Sequence, residues 1–119
     1  MRVKSSSVAR ATAGPAVVMD RATVRRMEKS ATRACGVLAA MSNPSRLLIL
    51  CQLAEGEKSV GELEPLIGLS QSALSQHLAV LRGKHLVRTR RNGQSILYSL
   101  ASKEATALMQ TVHDEFCKR

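Results

Sequence analysis

Two short strand-like runs, Leu86–Arg91 and Gln94–Leu100, flank the pair Asn92-Gly93. No other feature of this chain restricts its fold as much. Asn-Gly between such runs is the strongest short-range signal for a β-hairpin, because both residues tolerate the positive φ that a tight turn demands. What precedes and follows the hairpin repeats at helical spacing. Val24, Met27, Ala31, Ala34, Leu38 and Met41 recur at steps of three and four, one face of a first helix. Asn43 is placed to cap a second helix, with Pro44 at its first position, where no N–H is needed. The run Leu47–Leu53 is apolar nearly all round, which predicts a central, buried helix ending at Gly56.

Ser59 and Glu62 have the spacing of a capping box and open a third helix, which Pro65 keeps short or distorted. Gly68 ends it and Ser70 caps a fourth, with Leu74, His77, Leu78 and Leu81 at i, i+3, i+4, i+7. After the hairpin, Ser102 caps a last helix with the face Ala105, Leu108, Met109, Val112 and Phe116. One Phe, one Tyr and no Trp favour helix-on-helix packing over an aromatic-rich sandwich. The expected fold is mainly α with a small β-hairpin wing, a winged helix-turn-helix, within one domain over residues 19–119. Residues 1–18 read as a disordered basic tail, and Met19 stands as an alternative start.

Charge is distributed unevenly. The net charge is +9; residues 82–103 carry six Lys/Arg and no acid, and residues 1–33 carry eight against two. Two basic blocks around a near-neutral middle point to a polyanionic partner. At 100° per residue, Leu74, Leu78 and Leu81 of the fourth helix face inward. Ser72, Gln76 and Ala79 face outward, with Gln71 and Ser75 on one shoulder and His77 on the other. Small polar residues let a helix sit deep in a major groove, and Gln offers a bidentate donor–acceptor pair to a base edge. Ser70 at the helix start and Arg82 at its end, with Arg90, Arg91 and Asn92 in the hairpin, suit phosphate or minor-groove contacts. The expected partner is double-stranded DNA. The bland reading of the same residues is a solvated helix beside a basic loop.

No apolar run is long enough to cross a membrane, and Ala16–Met19 is too short for a signal-peptide core. The expectation is a cytoplasmic protein with no membrane partner. Three cysteines, an odd number, argue against a disulfide framework. No phosphate-binding glycine loop, nucleophile triad or carboxylate pair is present, so neither an enzyme nor a cofactor is expected.

From about Leu38 to Leu100 the chain resembles the ArsR (arsenic-repressor-like) family of dimeric winged-helix repressors. The resemblance lies in Leu38–Arg46, in Ser59-Val60-Gly61-Glu62-Leu63, in SQSALSQHLAVLR at Ser70–Arg82, and in the wing Thr89–Gln94 with Ile96-Leu97-Tyr98. It implies that the fourth helix reads the major groove of operator DNA. It also implies a homodimer joined through the first and last helices. Members of this family that sense metals through Cys-x-Cys on the third helix have thiols where this chain has Ser59-Val60-Gly61. His113 and Cys117 leave a metal half-site open but form no complete site, and no metal is assigned.

Cys51, in Leu48-Ile49-Leu50-Cys51, and Cys117, in Phe116-Cys117, resemble the thiol pair of the BigR/SqrR/HlyU branch. That resemblance implies an inducer among reactive sulfur species, persulfides above all, or other oxidants. It implies that the two thiols become linked and that DNA is then released. Read alone, Cys51 is more readily a small core residue, and only the matched pair reverses that reading. Cys35 has no counterpart in the pattern and reads as packing or as an accessory thiol. A metal-sensing repressor and an architectural nucleic-acid binder without an inducer remain the alternatives.

Overall fold

The computed structural model describes residues 19–117, so the expected tail over residues 1–18 lies outside the described residues. The described residues fall into two units, one ending at Thr32 and one beginning at Arg33. Helix α1, Arg21–Met41, runs across that division. In the first unit, the Thr23 amide donates to Asp20 Oδ1 at 2.8 Å. That bond satisfies an orphan donor and starts α1 ahead of Val24, where the apolar spacing begins. Val24 and Met27 of the expected stripe are exposed, Met27 by 50%.

The second unit continues from the end of α1 through α2 Pro44–Leu53, β1 Lys58–Ser59, α3 Val60–Ile67, α4 Gln71–Gly83, β2 Val87–Asn92, β3 Ser95–Leu100 and α5 Lys103–Val112. A π-helical segment, His113–Cys117, follows α5. Side chains replace the missing turn at each helix start. Asn43 Oδ1 accepts from the Arg46 amide at 3.0 Å, with Pro44 in the first turn of α2. Ser59 Oγ accepts from the Glu62 amide at 3.2 Å, while the Ser59 amide donates to Glu62 Oε1 at 2.8 Å, a complete capping box. Gly68, at φ +82°, ends α3, and Ser70 and Ser102 cap α4 and α5. Pro65 lies inside α3, which is only eight residues long.

Ile49, Leu50 and Leu53 of α2, Leu63 of α3, Leu74, Leu78 and Leu81 of α4, Leu86 and Val87 at the wing base, and Ala105 and Met109 of α5 form the core with Ala40 and Met41. No single helix among the described residues is long and apolar enough to cross a membrane.

Three local expectations need correction, and a fourth feature was not expected. The wing turn is Gly93-Gln94, not Asn92-Gly93, because Asn92 already pairs with Ser95 in an antiparallel register running to Val87 opposite Leu100. Gly93 takes φ +65° at the first central position, a left-handed value that glycine adopts without strain, and Asn92 stays extended in the strand. Leu48 is 53% exposed, so α2 is not buried all round. Phe116 is 83% exposed because the wider π turn rotates it away from the stripe of α5. The fourth is β1, which no alternation in the sequence announces. Its two residues pair with Tyr98 and Leu97 on the outer edge of β3, giving the sheet order β1-β3-β2.

Candidate nucleic-acid interface and thiol cavity

Helix α4 is anchored by its apolar face. Leu74, Leu78 and Leu81 are buried, and Gln71, Ser72, Ser75, Gln76 and Ala79 on the opposite side are exposed. Ser70 Oγ accepts from the Ala73 amide at 3.2 Å and lies 3.5 Å from Ser72 Oγ, so its hydroxyl already serves the helix end. Arg82 is exposed in the last turn. His77 turns the other way: it is half-buried, with Nδ1 3.5 Å from Arg46 Nη1. Arg46 Nε donates to the Ala40 carbonyl at 2.6 Å. One arginine thereby ties the ends of α1 and α2 to the shoulder of α4.

The chain leaves α4 through His85, which holds φ +60° while the Leu86 amide donates to the Leu81 carbonyl at 2.9 Å. A left-handed residue closing such a bond is the usual helix stop, normally filled by Gly or Asn. Lys84 is exposed like Arg82, but its side chain lies back beside α1. A Cβ built on Gly36 would meet its Nζ at 3.4 Å, so its stem lies along the one α1 position that has no side chain.

In the wing, Arg88, Arg91 and Asn92 are exposed, and Arg91 Nη1 donates to the Gly93 carbonyl at 3.5 Å. Arg90 is engaged instead. Its Nε and Nη2 donate to Glu57 Oε2 and Oε1 at 2.6 and 2.8 Å, a bidentate pair. The hydrogen bond from Arg90 holds the Glu57 carboxyl below the usual range, with help from the charges of Arg90 and Arg88. Sequence reasoning did not find Glu57 or Arg46, because each acts through a partner more than thirty positions away.

The thiols lie elsewhere. Cys51 of α2 and Cys117 of the π segment line one cavity of about 340 Å³, with Gln52, Glu55, Met109, Gln110 and His113 among its walls. Cys51 is half-buried against the core and Cys117 is exposed, and neither is in a disulfide. Burial pushes the Cys51 thiol up, and Cys117 adds to the shift. Asp114 Oδ1 accepts from Gln110 Nε2 at 2.9 Å and lies 3.6 Å from His113 Nδ1. Among the described residues, no three His, Cys, Asp or Glu side chains are placed to hold a metal ion. Cys35 is exposed on α1 and does not line this cavity.

Two helices joined by a glycine turn, the second presenting a polar face on a leucine base, and a β-hairpin behind them define a winged helix-turn-helix transcriptional regulator. Residues 43–89 match the family model described as bacterial regulatory protein, arsR family. The transcriptional activator HlyU of Vibrio cholerae is 47% identical over 95 residues, covering 80% of this chain and 88% of that protein. The structure of reduced HlyU from that species superposes with a TM-score of 0.75 at 48% identity, covering 79% of this chain and 99% of the other. The biofilm growth-associated repressor of Xylella fastidiosa is 46% identical over 91 residues, covering 76% of this chain and 80% of that protein. A homodimeric winged helix-turn-helix fragment from Mycobacterium bovis superposes with a TM-score of 0.66 at 32% identity, covering 77% and 88%. The chain belongs to the ArsR family, in the branch of BigR and HlyU.

Proposed function

We propose that this protein is a homodimeric repressor whose hold on operator DNA is released when Cys51 and Cys117 are linked by reaction with persulfide. The observation that carries this reading is the shared cavity: two thiols from α2 and from the end of the chain face one pocket with room for a reagent. The exposed face of α4 enters the major groove, where Gln76 and Ser72 read base edges and Gln71, Ser75 and the helix end at Ser70 meet the backbone. Arg82, Arg91 and Asn92 supply phosphate or minor-groove contacts. Exposed Val24, Met27 and Leu38 on α1 are the apolar surface that a second copy covers. Two-fold symmetry then places the half-site centres roughly 34–36 Å apart, or a multiple of that.

The thiol chemistry balances without an added oxidant. The Cys117 thiolate, which is exposed, attacks the terminal sulfur of an organic persulfide and displaces the organic thiolate, leaving Cys117–S–SH. Cys51 gives up its proton and attacks the sulfur attached to Cys117. The products are a Cys51–Cys117 disulfide and hydrogen sulfide, so the two thiols are oxidised and the persulfide sulfur is reduced. Cys51 acts second because it is half-buried against the core, where burial pushes its thiol up, whereas Cys117 is exposed to the reagent. Mass spectrometry after organic persulfide treatment, with peroxide as the comparison, tests the reading. The expected product is a Cys51–Cys117 link with loss of DNA binding; two independent modifications without a link would overturn it.

A further inference from the structure

Arg90 is the wing arginine held by an acid, and that acid is an anion beside a surface expected to meet phosphates. The pair is placed for geometry as well as charge. Arg90 on β2 lies opposite Leu97 of the central strand β3, and Leu97 lies opposite Ser59 of β1 on its other side. Glu57 precedes β1 by one residue. The two hydrogen bonds, 2.6 and 2.8 Å, therefore cross the middle strand and join the two outer ones. Beyond Arg90 the ladder holds only Arg91 and Asn92 before the Gly93-Gln94 turn. A planar guanidinium gripped at two points fixes direction, which a single contact from a flexible lysine would not.

We propose that Glu57 and Arg90 form a brace that sets the angle of the wing, so that Arg90 is a positioning residue for DNA binding and not a phosphate ligand. The proposal rests on the reading of the wing as a DNA-contacting element. It assigns to an acidic side chain a role in binding a polyanion. The brace holds the wing tip so that Arg91 and Asn92 meet the backbone without first paying the entropy of ordering a two-stranded ribbon.

Simple electrostatics and the brace predict opposite results for one substitution. Glu57→Gln removes a negative charge from a DNA-facing surface, which by charge alone tightens binding. The brace requires it to weaken binding, by about fivefold, because an amide cannot hold the fork in the same way. Glu57→Asp keeps the charge but shortens the reach, and it should weaken binding as well. The probe is a duplex recovered by in vitro selection against the wild-type protein, titrated at several salt concentrations. Arg90→Ala should lose a similar factor with an unchanged salt slope, whereas Arg91→Ala should lower the slope by about one. Glu57→Gln added to Arg90→Ala should cost nothing further. Equal or tighter binding by Glu57→Gln overturns the brace. So does wild-type affinity in Glu57→Asp, or a slope lowered by about one in Arg90→Ala. An unchanged slope in Arg91→Ala overturns the placement of the wing on DNA, a separate failure read from a separate variant.

Discussion

The reading helix and the thiol cavity are built by opposite means. Helix α4 carries its whole surface within thirteen consecutive residues, with three leucines inward and serines and glutamines outward. A cap, a periodicity and a turn are enough to arrange it. The cavity joins Cys51, midway along the chain, to Cys117, almost at its end, and no local spacing or periodicity links the two. A local surface tolerates change outside its base, whereas a surface assembled from distant elements depends on both contributors. On the proposed reading, a sulfur link across the cavity would act on the elements that line it, α2 and the end of α5.

That contrast can be attacked at several strengths. Leu78→Ala, at the base of α4, should have the largest effect. The residue is 1% exposed and its loss leaves a cavity, so urea unfolding at fixed protein concentration should show a loss of roughly 2–5 kcal/mol. The next effect belongs to the sensor. Persulfide should lower wild-type affinity for DNA about a hundredfold, roughly 2.7 kcal/mol of coupling. Cys51→Ser and Cys117→Ser should each bind DNA when reduced and ignore persulfide, while Cys35→Ser should behave as wild type. Release of Cys51→Ser by persulfide would move the switch out of the cavity.

Gln76→Ala, two positions from Leu78 on the same helix, should leave stability within about 0.5 kcal/mol. Both it and Ser72→Ala should relax base preference by roughly 1–3 kcal/mol in competition binding. Unchanged preference in both would detach reading from the outer face of α4. The smallest effect is on acid stability. Arg90 holds Glu57 below the carboxylate range, and a backbone hydrogen bond followed by Arg33 does so for Glu104. A depressed carboxylate contributes stability that is present above its unfolded value and is lost as pH falls through its folded one. Glu57→Gln should therefore lower the melting temperature slightly at neutral pH and converge with wild type as the pH falls through the folded-state value, which flattens the acid limb of a thermal-melt series.

Much of this organisation was legible in the chain itself. The capping box at Ser59 and Glu62, the caps at Asn43, Ser70 and Ser102, the stop at Gly68, and the inward leucines of α4 all depend on residues within a turn or two of each other. Local hydrogen bonds and a fixed helical period carry that information directly. Glycine chemistry located the hairpin, but the turn fell one residue later, because strand register is a property of the pair and not of either strand.

Tertiary structure decided the rest. That Arg90 answers to Glu57, that Arg46 grips the shoulder of α4 through His77, and that Lys84 folds over Gly36 follow from elements meeting in space. That Leu48 and Phe116 stay exposed while their neighbours are buried depends on where the core ends. The thiol pair divides along the same line. Cys51 and Cys117 were nameable in sequence through family resemblance. Whether they share a cavity was set by the packing of α2 beside the π turn that ends α5, because burial and proximity between distant positions exist only once the chain has closed on itself.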